Sequence, residues 1–278
     1  MPNISAAAAS NVGKVRDNNE DNFFLNGQTL SANSAGTVCT AAESAGGLYA
    51  VCDGMGGEEH GETASAIAVD TLNQYAQKAS FDKQIHLYTE EANARICAEI
   101  EKNDGKRMGT TFAVLSIQDH TAHVYNIGDS RAYLFRNHHL TQLSQDHTQV
   151  RRLLDMGILT GESAKTHPDR HKLTQHLGIF PDEMLIEPYA AQPLQIETGD
   201  IFLLCSDGLT DMLEDEEIKA ILLRHTDPQD VVIRLIDVAL QNGGRDNVTV
   251  VVVRVCDLSK GHKNAVPEKR KRPFLFFR

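Results

Sequence analysis

The stretch "TTFAVLSIQDHTAHVYNIGDSRAYLFRNHHLTQLS", residues 110–144, decides the fold class. Its runs "TTFAVLSIQD" (110–119), "TAHVYNIGDSRAYLFRN" (121–137) and "HLTQLS" (139–144) are rich in β-branched and aromatic residues. Very short links join them, so they read as successive antiparallel strands. Working outward, "NFFLN" (22–26) and "GLYAVCD" (47–53) also read as strands. "GETASAIAVDTLNQYAQ" (61–77) sets Ala64, Ile67, Ala68, Thr71, Leu72 and Tyr75 at helical spacing. "TEEANARICAEIEKN" (89–103) is a second helix, its acids toward the end where the helix dipole favours them.

Downstream, "THPDRHKLTQHLG" (166–178) reads as a surface segment, and "MLIEPYAAQPL" (184–194) and "DIFLLCSD" (200–207) return to strand. "EDEEIKAILLRH" (214–225) and "DPQDVVIRLIDVALQNGG" (227–244) are helices, the second with Asp227 as cap and Pro228 at its first position. "NVTVVVVRV" (247–255) closes the domain as a buried strand. The alternation implies an α+β fold, an antiparallel β-sandwich flanked by pairs of helices in four αββα layers. The Ser-, Ala-, Thr- and Gly-rich stretch 27–47 is expected to form a long loop between two strands.

Composition bounds the function. The 278 residues are 41% hydrophobic and 23% charged, ordinary values for a globular chain. A net charge of −11 argues against a nucleic-acid or membrane-surface binder acting through a general basic face. Five cysteines without a CxxC pair read as small buried apolar residues in a reducing compartment. With no signal-peptide pattern and no run of membrane-spanning length, the expected location is cytoplasmic. From Asp257 onward seven Lys/Arg against two acids give +5, leaving −16 on residues 1–256. The sequence therefore divides into a domain over 1–256 and a basic tail over 257–278. The tail reads as a disordered terminus, with a docking or membrane-touching role as the alternative, carried by "KRKR" and "PFLFF".

Four apolar strands carry an aspartate at one end beside a glycine or a turn: "YAVCDG" (Asp53), "VYNIGDS" (Asp129), "IFLLCSDG" (Asp207) and "GGRDNVTVVVV" (Asp246). Any one of them is most simply a turn-forming Asp-Gly. Four such ends gathered together would repel strongly unless divalent cations sat among them. An all-oxygen donor set points to Mg²⁺ or Mn²⁺, and Gly54 lets a backbone carbonyl approach closely.

Six segments strengthen this reading: "VRDNNED" (15–21), "VCDGMGG" (51–57), "MGTTFAVLSI" (108–117), "NIGDSRAYLF" (126–135), "LLCSDGLTDML" (203–213) and "GGRDNVTVVVV" (243–253). In that order they closely resemble the metal-dependent protein Ser/Thr phosphatases of the PP2C (PPM) family in its bacterial form, from about residue 8 to 256. The resemblance implies that Asp53 bridges two Mn²⁺ or Mg²⁺ ions, that the Gly54 carbonyl binds one, and that Asp207 and Asp246 hold the other. It assigns Asp129 to a third, weaker ion and Arg16 to the substrate phosphate, for which a planar fork is suited. Glu20 and Asp21 are then acids that orient metal-bound waters. The implied reaction is phosphoserine/phosphothreonine hydrolysis by a metal-bridging hydroxide, opposing a Ser/Thr kinase, by a monomer. None of the five cysteines sits in a tyrosine-phosphatase phosphate loop.

Two departures stand out. Met55 occupies the position at which many eukaryotic members have a histidine proposed as general acid, and His147 reads as structural rather than as its substitute. The flap carries "LTQHLG", with Gln175 and His176, where the bacterial pattern is close to "LTRALG". The competing readings are a silent relative that only binds phosphorylated partners, which a missing metal aspartate would signal, and a phosphoesterase acting on nucleotides or small phosphates.

Overall fold

A computed structural model describes residues 1–30, 36–56, 60–76 and 80–258. The chain opens with strands β1 (Pro2–Asn11), β2 (Asn22–Leu25), β3 (Gln28–Thr29), β4 (Val38–Ser44), β5 (Gly47–Cys52) and β6 (Gly54–Gly56). Helices α1 (Gly61–Ala76) and α2 (Ile85–Lys102) follow, then β7 (Met108–Thr110), β8 (Phe112–Gln118), β9 (Thr121–Ile127), β10 (Arg131–Arg136) and β11 (His139–Gln142). Short helix α3 (Gln149–Asp155) precedes the flap, residues 156–178, which holds α4 (Gly161–Lys165); β12 (Tyr189–Ala190), β13 (Leu194–Gln195) and β14 (Ile201–Cys205) come after it. Helices α5 (Asp207–Thr210), α6 (Asp215–Arg224) and α7 (Pro228–Gln241) lead to β15 (Val248–Leu258).

Two antiparallel sheets stack face to face. One runs β11-β10-β14-β15-β1-β4, the other β12-β9-β8-β5-β2-β3 with β13 also on β9. Alternation along each strand divides the side chains between two layers. Ala6 and Ala8 of β1, Val251 and Val253 of β15, Phe202 of β14, and Tyr49 and Leu115 opposite fill the space between the sheets. Ala7 and Ala9, Val250 and Val252, and Leu203 face outward onto α6 and α7, where Leu222, Val232, Leu235 and Ile236 meet them. On the far side Leu48, Ala50, Phe112 and Val114 pack against Ala68, Leu72, Tyr88 and Ile96 of α1 and α2. This is the four-layer αββα sandwich expected. The "VVVV" run has no polar alternation because both faces of β15 are covered.

The Asp227 carboxylate caps α7, accepting from the Gln229 and Asp230 N–H groups at 2.9 and 3.3 Å. Other elements depart from the sequence reading, among them the expected strand 184–194, which forms only the two-residue β12 and the first residue of β13. The N-terminal "PNISAAAASN" forms β1, a strand buried within its sheet, although alanine is a weak strand former. The expected long loop 27–47 instead contains β3 and β4, and β4 pairs with β1. The run 121–137 is two strands in different sheets, broken at Gly128-Asp129-Ser130, where the chain crosses from one sheet to the other. Strand β15 also takes in Asp257 and Leu258, and the rest of the basic tail lies outside the described residues. Cys52, Cys97 and Cys205 are buried as expected, Cys256 is half-buried, and Cys39 is exposed. No helix among the described residues is long and apolar enough to cross a membrane.

Candidate metal centre

At one end of the sandwich, Asp53, Asp129 and Asp207 follow β5, β9 and β14 within two residues, and Asp246 lies two residues before β15. The Asp53 N–H donates to Thr111 Oγ1 at 3.1 Å, and its carbonyl accepts from Thr110 Oγ1 at 2.8 Å and Thr111 N at 2.9 Å. Thr111 Oγ1, between β7 and β8, also meets Ser130 Oγ at 2.6 Å, which ties the residue after Asp129 to the same threonine. Gly128, with φ of +93°, makes the turn into Asp129, and a side chain there would collide with Thr111. Ser206, just before Asp207, donates to Asp21 Oδ2 at 2.8 Å and accepts from Thr249 N at 3.0 Å.

The N-terminal loop is tied to the same end by Asn247. Its amide donates to the carbonyls of Val12 and Asn18 at 2.9 and 2.8 Å, and its Oδ1 accepts from Glu20 N at 2.8 Å. The loop thereby carries Arg16 to Asp246, Nη2 to Oδ2 at 2.7 Å. Glu20 borders the centre. Its carbonyl accepts from Gly54 N at 3.2 Å and Ser65 Oγ at 2.7 Å, and its carboxylate lies at the start of α1, against Gly61. Gly54 is wedged so closely that a Cβ would collide with the carbonyl oxygens of Gly61 and Glu20.

The structure thus brings together Asp53, Asp129, Asp207, Asp246 and Asp21, with Arg16, Gly54 and Glu20 at their border. Burial raises the Asp53 carboxyl well above the carboxylate range, and Asp21, Asp207, Asp129 and Asp246 raise it further. Asp129 is raised by burial and then by Asp207 and Asp146. Asp21 is pushed up to about 7, burial first and the charges of Asp207 and Asp246 after, against opposing hydrogen bonds from Thr249 and Ser206. Asp21 Oδ1 is buried without a hydrogen-bond partner. Mutually repelling carboxylates, an orphaned oxygen and a glycine cradle suit hard divalent cations of the Mg²⁺ or Mn²⁺ kind.

Two residues at this site escaped the sequence reading. His171 of the flap sets Nδ1 3.5 Å from Asp207 Oδ2 and Nε2 3.4 Å from Asp211 Oδ2. The three side chains converge closely enough to share one ion. The hydrogen bond to Asp207 chiefly raises the His171 pKa. A cavity of about 810 Å³ opens beside Asp129 and Asp207, with Arg170, His171, Asp211 and Arg245 among its walls. Only the Asp in "SDGLTD" gave any signal in the sequence; His171 stood in a segment without periodicity.

The flap residues that depart from the family pattern serve its own structure. Gln175 Oε1 accepts from Glu187 N at 2.9 Å, and His176 Nδ1 bonds the Leu177 carbonyl at 2.8 Å. His147 Nδ1 accepts from Gly128 N at 3.1 Å, and burial lowers its pKa, which fits the structural role expected of it. Met55 lies on β6, opposite Gly109.

Residues 35–238 match the family model described as Protein phosphatase 2C. The serine/threonine protein phosphatase PstP of Mycobacterium tuberculosis is 34% identical over 268 residues, which cover 94% of this chain and 46% of PstP. The chain therefore spans about half the length of that relative. Protein phosphatase PhpP of Streptococcus pneumoniae is 35% identical over 252 residues, 88% of this chain and 94% of PhpP. The solved catalytic domain of PstP in complex with two manganese ions superposes with a TM-score of 0.76 at 32% identity, covering 92% of this chain and all of that one.

Proposed function

The chain belongs to the protein phosphatase 2C family, and on that premise we propose that it is a metal-dependent protein Ser/Thr phosphatase. It hydrolyses phosphoserine and phosphothreonine in protein substrates, opposes a Ser/Thr kinase, and acts as a cytoplasmic monomer. The observation that carries this reading is the meeting of Asp53, Asp129, Asp207 and Asp246 at one end of the sandwich, where the charges of the other three raise the Asp53 carboxyl beyond what burial does.

Asp53, the Gly54 carbonyl, Asp207 and Asp246 would hold two Mn²⁺ or Mg²⁺ ions, and Asp129 a third. When bound, the ions supply an acidified water and neutralise charge on the phosphoryl oxygens. The residues of the chain do the rest. Arg16 uses one guanidinium N–H on Asp246 and keeps others for the phosphate, which planar donors engage two at a time. Asn247 fixes the loop that delivers Arg16, and Ser206 orients Asp21. Glu20 and Asp21 are placed to accept hydrogen bonds from water at the centre.

The test is phosphate release from a phosphothreonine peptide with Mn²⁺, with EDTA, and with Asp207→Ala. Manganese-dependent turnover that both EDTA and the substitution abolish is expected. A folded protein that binds the peptide yet releases no phosphate with any metal would leave only a phosphopeptide-binding role. Faster turnover of nucleotides than of phosphopeptide would move the assignment to another phosphoesterase.

A further inference from the structure

We propose that His147 is a positioning residue for Asp129: from beside the flap it fixes the turn that presents this aspartate to a cation. The role rests on the assignment of a third ion to Asp129 and goes beyond it by naming what holds that carboxylate in place. Gly128, Asp129 and Ser130 lie between β9 and β10, where neither sheet's ladder holds them. Residues 145–147 supply the missing support. Asn126 Nδ2 donates to the Gln145 carbonyl at 2.8 Å, and Asn126 Oδ1 accepts from Gln145 N at 3.1 Å. Arg131 pairs with Asp146, Nη2 to Oδ2 at 2.7 Å. Between these two grips, His147 takes both backbone groups of Gly128. Its N–H donates to the Gly128 carbonyl at 2.9 Å, and its Nδ1 accepts from the Gly128 N–H at 3.1 Å.

Gly128 is buried, so its N–H depends on a protein acceptor. Accepting at Nδ1 leaves the ring proton on Nε2 and requires the neutral imidazole, which burial favours. A neutral ring suits the task, because a second charge beside Asp146 would further disturb Asp129. The same residue also faces the flap. Its carbonyl accepts from Thr174 N at 2.7 Å, and beside it Gln149 N donates to the Lys172 carbonyl at 2.9 Å. The segment of the flap that ends at Thr174 begins at His171, whose ring lies against Asp207. This segment therefore meets Asp207 directly and Asp129 through His147. Groups that hold a metal ligand from behind govern its affinity by about ten- to a hundred-fold when removed.

The test is equilibrium dialysis of the full chain against Mn²⁺, which counts the ions held at each free concentration. Two ions held tightly and a third held weakly are expected, with the third absent in Asp129→Asn. His147→Leu should weaken the third about ten-fold and leave the tight pair, whose retention shows that the variant is folded. His147→Gln moves the side-chain amide toward the place of Nε2 and should behave like His147→Leu. His147→Asn, whose Oδ1 falls near the place of Nδ1, should recover most of the loss. Amide hydrogen exchange at Gly128, read by NMR on metal-free protein, should quicken in the leucine variant and not in the asparagine variant. A third ion that Asp129→Asn removes but His147→Leu leaves undisturbed would overturn the proposal alone. Equal losses in the leucine and asparagine variants would do the same, since the ring's bulk and not its acceptor would then matter. Three ions retained by Asp129→Asn would remove the third-ion assignment itself, and the role of His147 with it.

Discussion

Gly54 shows how much the site depends on single atoms. A methyl group there meets two backbone carbonyl oxygens, neither of which can swing aside as a side chain can. Gly54→Ala should cost about 1–3 kcal/mol of stability and displace the carbonyl assigned to an ion. Thermal melting and manganese binding measured together would show both losses. Asp53→Asn removes the carboxylate that most of its neighbours face, and activity should fall at least about a hundred-fold, with fewer ions retained on equilibrium dialysis. The four strand-end aspartates were legible because each interrupts an apolar run. Thr111, Ser206 and Asn247 were not, because their bonds to Asp53, Asp21 and Glu20 cross 58, 185 and 227 residues of sequence. A serine or asparagine carries no local mark of a partner so distant.

Among the elements, the N-terminal loop and α7 offer the clearest tests. Asn247→Ala removes three hydrogen bonds that hold residues 12–20 to the start of β15. At about 1 kcal/mol each, part of which water restores, a loss of roughly 2 kcal/mol is expected. Arg16 also loses its support, so the KM for a phosphopeptide should rise more than kcat falls. An unchanged KM would show that the loop holds without it. Asp227→Ala should cost about 1 kcal/mol through the cap of α7 and leave turnover alone, since the helix packs on the outer face of the sheet. The helices and the valine-rich β15 were legible from periodicity and caps. Strand β1 was not. Four successive alanines have neither the period nor the bulk of a strand, and only the two layers that cover them fix their conformation. The break at Gly128-Asp129-Ser130 was hidden for a related reason: both halves of 121–137 have strand character, and nothing local shows that they belong to different sheets.

For the whole molecule, the centre is a source of instability that cations relieve. The folded state holds a proton on Asp21 up to about pH 7, against the usual 3.8, because burial and the charges of Asp207 and Asp246 disfavour the carboxylate. A group raised in this way contributes its stability below its unfolded pKa, and that contribution is lost as pH climbs through the folded value. Protein stripped of metal by EDTA should therefore melt at a lower temperature at about pH 8 than at about pH 5. Saturating Mn²⁺ should flatten or reverse the slope, as the cation replaces the proton among the carboxylates. A metal-free melting temperature that rises across this interval would contradict the arrangement. The sandwich class, the Asp227 cap, the buried final strand and the four aspartates were all readable in short windows of sequence, because local periodicity and strand-end chemistry write them there. Only the tertiary structure decided that β1 is a buried strand, that the chain changes sheets at Asp129, that Asn247 fastens the loop of Arg16, and that His171 reaches Asp207 and Asp211. Those features rest on contacts between distant parts of the chain, and no window of sequence contains both partners.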